Sequence, residues 1–120
     1  MANPTGPSNP ALQELIRELK KKSHEHESKL WMRLANDLER PTRERREVNL
    51  YTINTYADKN ETVVVPGKVL ATGNLDKSVT VAAFRFSGAA MRKINQSGKA
   101  ITIKELMKEN PKGKRIRILG

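Results

Sequence analysis

The chain has 120 residues, of which 37% are hydrophobic and only 4% aromatic, so we expect one modest core and no second independent one. Its formal charge of +10 and pI near 10.2 indicate a polyanionic partner. The lack of cysteine excludes disulfides and thiolate metal sites, and no apolar run approaches the ~20 residues that span a bilayer. The N-terminal residues have no signal-peptide pattern, which predicts a cytoplasmic protein that does not bind membranes.

An extended arm and then a helix are predicted at the start of the chain. Residues 1–9 are rich in Pro, Asn, Gly and Ser, whereas Pro10 suits the first position of a helix that Asn9 can cap. From residue 12, Leu and Ile recur at i, i+3, i+4 and i+7, which places them on one buried face. The lysines at residues 20–22 should end this helix, because cations stabilise the negative end of the helix dipole.

A second helix is predicted to begin at Ser28 and to end before Pro41, with Leu and Trp on one side. Packed against the first, it makes residues 10–40 a helical hairpin. Between the helices lies the sequence His24-Glu25-His26-Glu27. Histidines at i, i+2 do not share a helix face, and no third ligand is apparent. We therefore interpret this segment as a solvated connection and predict no metal site.

Four arginines lie in the sequence RPTRERR at residues 40–46, within a predicted arginine-rich connection at residues 41–60. Glutamates are interleaved with them, so a plain, internally paired surface loop is one interpretation. Because a guanidinium matches phosphate oxygens bidentately, we favour RNA contact by Arg40, Arg43, Arg45 and Arg46. Further on, residues 48–53 fit either a short strand or a helical turn capped by Asn49 that buries Leu50 and Ile53, and periodicity does not decide between them.

From Glu61 the pattern changes to short strands and helices. The expected elements are a strand at 62–65, a turn at Pro66-Gly67, a strand at 79–84, a helix capped by Ser87, a strand at 100–103, a helix opened by a Thr102/Glu105 capping box, and a strand at 114–119. This order predicts that residues 61–120 form a compact α/β core.

Basic residues in this core are the strongest functional signal. Residues 61–120 hold 12 basic and 4 acidic residues, against 11 and 9 in residues 1–60. We expect Phe84 and Phe86 to face opposite sides of their strand, with Phe84 assigned to the core. Few aromatics are therefore left to stack on bases, which favours recognition of folded RNA by shape and backbone. Double-stranded DNA would satisfy the same charges. The residues predicted to contact RNA here are Arg85, Arg92, Lys93, Lys99, Lys112, Lys114, Arg115 and Arg117.

The segment PGKVLATG at residues 66–73 superficially resembles a glycine-rich phosphate loop. Nucleotide loops need closely spaced glycines that open directly into a helix, whereas these glycines are six residues apart and no helix is expected at Gly73. We predict no nucleotide site, no cofactor and no catalytic residues. The backbone amides of Gly67 and Gly73, beside Lys68, are instead candidates for an RNA phosphate.

Four sequence blocks carry a family resemblance. They are LERP at 38–41, VNL at 48–50, TVVVPGKVL at 62–70 and VTVAA at 79–83, and they resemble the archaeal and eukaryotic ribosomal protein eighteen-e family, which is related to bacterial large-subunit protein fifteen. The compact length resembles archaeal members. The chain departs from the family pattern at Thr42 and Thr52, where a basic residue is usual, and at residues 71–73, which are usually richer in glycine.

The resemblance implies an irregular α/β fold, a strand–strand–helix superhelical unit with an N-terminal helical hairpin, in a single domain over residues 1–120. It implies a non-enzymatic structural constituent of the large ribosomal subunit that binds ribosomal RNA beside neighbouring ribosomal proteins, as a monomer within the ribosome. The family's basic block maps onto Arg40, Arg43, Arg45 and Arg46, and its PGK turn onto Gly67 and Lys68. The alternatives are a free-standing RNA or DNA chaperone and a nucleotide-dependent enzyme that uses the PGKVLATG turn.

Charge reversal of Arg43, Arg45 and Arg46 together is expected to weaken RNA binding and to flatten its salt dependence. Each phosphate contact that is lost reduces the number of counterions released from the RNA on binding. The affinity for a large-subunit ribosomal RNA fragment, measured at several salt concentrations, checks this. An unchanged salt slope would show that the arginine segment is only a surface loop.

Overall fold

The computed structural model describes residues 10–39 and 47–119, in which a parallel sheet has helices on both faces. The helices are α1 (Pro10–His26), α2 (Lys29–Leu38), α3 (Leu50–Tyr56), α4 (Gly88–Ser97) and α5 (Ile103–Glu109). The strands are β1 (Glu47–Asn49), β2 (Thr62–Leu70), β3 (Thr80–Phe86), β4 (Lys99–Thr102) and β5 (Ile116–Ile118). The predicted α/β class with an N-terminal helical hairpin is confirmed. Among these helices none combines the length and apolar character needed to cross a membrane.

Strand β2 is the centre of the sheet. On one side it pairs with β3, which in turn pairs with β4. Its other side is shared, because β5 pairs with residues 62–64 and β1 with residues 68–70. The turn predicted at Pro66-Gly67 is wrong, since β2 continues through these residues with a register shift between Val65 and Lys68. Proline has no backbone donor, so a bulge in the ladder accommodates it.

The two faces of the sheet carry separate cores. Because successive strand residues point to opposite faces, Val64 packs with α1, α2 and α5, whereas Val63 and Val65 pack with α3 and α4. The half-buried Phe84 packs against the first core and Phe86 against the second, so they face opposite sides as expected. Residues two apart in a regular strand share a face, so the alternation breaks at Phe86, where β3 ends. Helices on both faces are the usual cover of a parallel sheet.

The connection between α1 and α2 is shorter than predicted. Helix α1 continues to His26, so the lysines at residues 20–22 lie inside it and the predicted solvated connection at residues 24–27 is wrong. None of these residues breaks a helix, and the chain turns only at Glu27, whose φ is +52°. The buried Ser23 hydroxyl donates to the backbone oxygen of Ser28 at 2.7 Å and closes the turn. Asn9 and the arm lie outside the described residues.

Residues 47–56 contain both of the structures that periodicity left open, strand β1 and then helix α3. Asn49 is both the last residue of β1, in register with Leu70, and the N-cap residue of α3, where its side chain makes no cap hydrogen bond. Leu50 and Ile53 are buried, as expected.

The predicted starts of the later helices are confirmed. The Ser87 hydroxyl accepts a hydrogen bond from the amide of Ala90 at 3.1 Å, and Thr102 and Glu105 form a reciprocal capping box. Met91, an apolar residue of α4, is exposed. These caps fix where α4 and α5 leave the sheet.

Glycines at the two ends of α4 provide a stability test. A Cβ on Gly98 would collide with the backbone oxygen of Val79, which accepts the amide of Lys99, whereas the nearest atom to a Cβ on Gly88 is the Arg92 Nη1 at 3.6 Å. Gly98→Ala should therefore lower the free energy of unfolding by about 2 kcal/mol or more, and Gly88→Ala should leave it unchanged or raise it by up to ~1 kcal/mol. Denaturant unfolding measures both; equal effects would contradict the prediction.

Candidate nucleic-acid interface

Because all five strands are parallel, their carboxyl ends meet at one edge of the sheet, and a group of cations lies there. Lys68 and Arg85 are both exposed and are in register on neighbouring strands near the ends of β2 and β3. Arg92 is exposed on α4, with its guanidinium close to Gly88. We call the surface formed by Lys68, Arg85, Gly88 and Arg92 the carboxyl edge. Within residues 10–39 and 47–119, its three cations form no ion pair, although Glu47 is in register with Lys68.

The first turn of α4 adds hydrogen-bond donors to this surface. Ser87 caps the helix, and Gly88 is exposed and has no side chain to hold a ligand away from the backbone. A helix start carries a partial positive charge and unpaired amides. The carboxyl edge thus combines three full charges with the positive end of a helix dipole, which suits a phosphate group.

A second group of cations lies at the opposite edge, where the strands begin. We call residues 110–115 the amino-edge loop, since they connect α5 to the start of β5. Its exposed cations, Lys112, Lys114 and Arg115, form no ion pair with any residue that the structure describes. Strand β3 has seven residues, which puts the two edges ~20 Å apart. The residues predicted as one RNA surface therefore divide into two.

The amino-edge loop is held firmly. The indole Nε1 of the fully buried Trp31 donates to the backbone oxygen of Pro111 at 2.7 Å. The Asn110 side chain bridges the loop, donating to the oxygen of Lys114 at 2.8 Å and accepting its amide at 3.3 Å. Gly113 has φ +65° and lies so close to Leu30 that a side chain would collide there. This fixed loop presents its cations at little entropic cost.

Three other predicted RNA contacts are engaged within the protein. The Lys93 ammonium donates to the backbone oxygens of Ala71 and Gly73 at 3.0 and 3.1 Å, and so joins α4 to the loop after β2. Two further cations meet acids: Lys99 lies 3.7 Å from Glu109, and Arg117 lies 2.8 Å from Glu61 and 3.8 Å from Asp58. These contacts give all three a structural role.

The remaining predicted contacts differ in position. Gly67 is buried within β2, so the exposed part of the PGK segment is the Lys68 side chain. Arg40, Arg43, Arg45 and Arg46 lie outside the described residues, and their RNA contact remains a prediction.

Two exposed aromatic residues on α3 were missed by the sequence-based predictions. The exposed fraction is 67% for Tyr51 and 60% for Tyr56. Leu50 and Ile53, the apolar pair that marks the buried side of this segment, already indicated that Tyr51 points elsewhere. The prediction on base stacking rested on the aromatic residues of the more basic second half of the chain, and α3 lies outside that half.

Comparison with known proteins decides the family. A family model described as ribosomal proteins 50S-L15 and 50S-L18e, together with a 60S member, matches residues 11–102. The chain belongs to this family. The L15/L18e match contains the carboxyl edge and ends before α5 and β5, and it confirms the resemblance drawn from the VVVPGKVL and VTVAA blocks.

Relatives in the L15/L18e family are archaeal and similar over nearly their whole length. The chain is 51% identical to large ribosomal subunit protein eL18 of Methanoregula boonei over 113 residues, 93% of each chain. It is 46% identical to the eL18 of Haloarcula marismortui, over 93% of this chain and 97% of the relative. With the eL18 of Methanopyrus kandleri it shares 45% identity, over 97% and 96%. The predicted archaeal type and ribosomal location are confirmed by this family membership.

The Glu61–Arg117 pair predicts a pH dependence of stability. The Arg117 side chain donates a hydrogen bond to the Glu61 carboxylate, and with the amide of Asp58 this holds the carboxyl pKa below its ordinary value of 4.5. A lowered pKa in the folded state stabilises the protein fully above pH 4.5 and progressively less as the pH falls below it. Glu61→Gln should therefore lose less stability than the parent between about pH 5 and about pH 3.

Urea unfolding across that pH range measures this effect. Glu105→Gln is the positive control, because hydrogen bonds from Thr102 also lower the pKa of Glu105. If the parent and Glu61→Gln lose stability in parallel, the ion pair does not contribute.

Proposed function

We propose that this structural constituent of the large ribosomal subunit holds folded ribosomal RNA through phosphate contacts at the carboxyl edge. The observation that carries the proposal is the position of Lys68 and Arg85 near the ends of β2 and β3 and of Arg92 beside the exposed start of α4, without acidic partners among the described residues. Many lysine and arginine side chains elsewhere on the described surface meet acids, as Lys20 meets Glu39. Cations left unneutralised on a folded surface are available to an external anion.

The amino-edge loop supplies a second contact in the same proposal. A separation of ~20 Å between the two edges is too large for one phosphate and requires an extended or folded RNA surface. Phosphate contacts at two fixed places read the shape of an RNA and not its sequence. This agrees with the expectation of shape and backbone recognition drawn from the basic residues and the scarcity of aromatic ones.

We propose a non-enzymatic role, with one copy of the chain bound beside neighbouring ribosomal proteins. The PGKVLATG segment, which suggested a nucleotide-dependent enzyme, lies largely within β2, and the next helix along the chain begins only at Gly88. The relatives described above are named as large-subunit ribosomal proteins, and none of those names includes an enzymatic activity.

Replacing the carboxyl-edge cations tests the proposal. The triple variant Lys68→Gln, Arg85→Gln and Arg92→Gln should bind a large-subunit ribosomal RNA fragment more weakly, with a salt slope smaller by about 2–3, because each phosphate contact contributes roughly 0.7–0.9. Affinity measured from low to moderate salt gives the slope.

A matched control removes the same charge elsewhere. Lys20, Lys22 and Lys104 lie within 4.0 Å of Glu39, Glu25 and Glu18, respectively, so their replacement by Gln should change the slope much less. Equal salt slopes for the two triple variants would show that the weaker binding is a non-specific effect of net charge, and would contradict the proposal.

In a sucrose gradient the parent protein should sediment with large subunits at low salt. A protein that stays at the top would favour a free-standing RNA or DNA chaperone.

A further inference from the structure

An exposed tyrosine lies beside the cations of the carboxyl edge. Helix α3 begins directly after β1, whose last residue is in register with Leu70 at the end of β2. The backbone amide of Tyr51 donates to the oxygen of Thr72 at 3.0 Å, just beyond that strand end. Tyr51 therefore lies at the same edge of the sheet as Lys68 and Arg92. Its 67% exposure leaves most of the ring uncovered by the described residues.

Contacts with the loop after β2 and within α3 hold the backbone that carries this ring in place. Gly73 has φ +95°, and a Cβ on it would lie 2.7 Å from the Cβ of Tyr51, so only glycine allows the loop to pass this closely. Lys93 holds the same loop through the backbone oxygens of Ala71 and Gly73. The hydroxyl of Thr55 also donates to the backbone oxygen of Tyr51, at 2.8 Å. The ring is thus presented on a rigid support, which lowers the entropic cost of binding through it.

An exposed aromatic ring at the same edge as phosphate-binding cations fits one chemical group in folded RNA, an unpaired nucleobase. Paired bases inside an A-form helix offer no free face, whereas a bulged or looped base can stack on an aromatic side chain. Phosphates on either side of such a base would meet cations like Lys68 and Arg92. The arrangement therefore suits a helix interrupted by an unpaired base better than a continuous duplex.

We propose that Tyr51 stacks on an unpaired nucleobase and gives the carboxyl edge a preference for RNA helices that contain one. This inference rests on the proposed function, since it assigns the kind of RNA that the same surface binds. Stacking is tolerant of base identity because every base has a π face. Tyr51 selects RNA by the presence of an unpaired base, while the cations bind its phosphates.

The test uses the full chain and two short RNA duplexes that differ only in one bulged adenine. The parent protein should bind the bulged duplex about tenfold more tightly, the usual size of one base-stacking contact. Tyr51→Ala should abolish this preference while keeping the affinity for the continuous duplex and the salt slope. Tyr51→Phe, which keeps the ring, should retain the preference. With 2-aminopurine as the bulged base, fluorescence quenching on binding should be lost in Tyr51→Ala only.

Tyr56→Ala is the matched control, because Tyr56 has similar exposure at the other end of α3, near the acidic Asp58. It should leave the preference unchanged, and fluorescence of the buried Trp31 verifies that each variant is folded. Retained preference in Tyr51→Ala, lost preference in Tyr51→Phe, or no preference in the parent would each overturn the inference. Failure of the proposed function is distinct, since the triple variant of Lys68, Arg85 and Arg92 would then bind both duplexes like the parent.

Discussion

Pairing of β2 along both sides is the constraint on which the rest of the structure depends. One side of this strand meets β3, and the other is divided between β5, near the C-terminus, and β1, which precedes β2 in the chain. The bulge at Pro66-Gly67 lies where the two partners change over, and the register with β3 shifts there. Because β2 is buried on both faces and paired on both sides, its valines join both cores, and the helices on each face are placed relative to one strand.

The functional surfaces follow from this arrangement. In a parallel sheet, helices that directly follow strands begin at the same edge, as α3 and α4 do after β1 and β3. The carboxyl edge therefore gathers the ends of β2 and β3 with the first turns of α3 and α4, while the amino edge receives the loop before β5. Side chains far apart in sequence, such as Lys68 and Arg85, become neighbours only through strand register.

Local signals in the sequence were sufficient for the helix starts and insufficient for the strand ends. Ser87 and Thr102 mark helix starts through side-chain bonds to amides three residues on, and Ser28 occupies the N-cap position without such a bond. All three are identified by the local pattern. Whether β2 stops at Val65 or continues to Leu70 depends on β1 and β5, which no local pattern describes. The turn assignment at Pro66-Gly67 failed for that reason.

The same distinction applies to the candidate site. The excess of cations was evident from composition, but which of them are neutralised depends on distant acids, as in the pairing of Arg117 with Glu61 across 56 positions. Nothing in the sequence therefore indicated that Lys93, Lys99 and Arg117, which were predicted to contact RNA, have partners within the protein. Tyr51 was not among the predicted contacts, because its place at the carboxyl edge follows from the register of β1 with β2, which no local pattern describes.

The hydrogen bond from Trp31 to Pro111 joins residues 80 positions apart, and this separation affects the order in which parts of the chain fold. During synthesis the N-terminal hairpin can pack early, but the Trp31 indole has no Pro111 oxygen to bind until nearly the whole chain has emerged. Contacts of such long range form late because chain closure must precede them. Of the two edges proposed to bind RNA, the amino edge is therefore completed last, and a chain truncated before residue 110 would keep only the carboxyl edge.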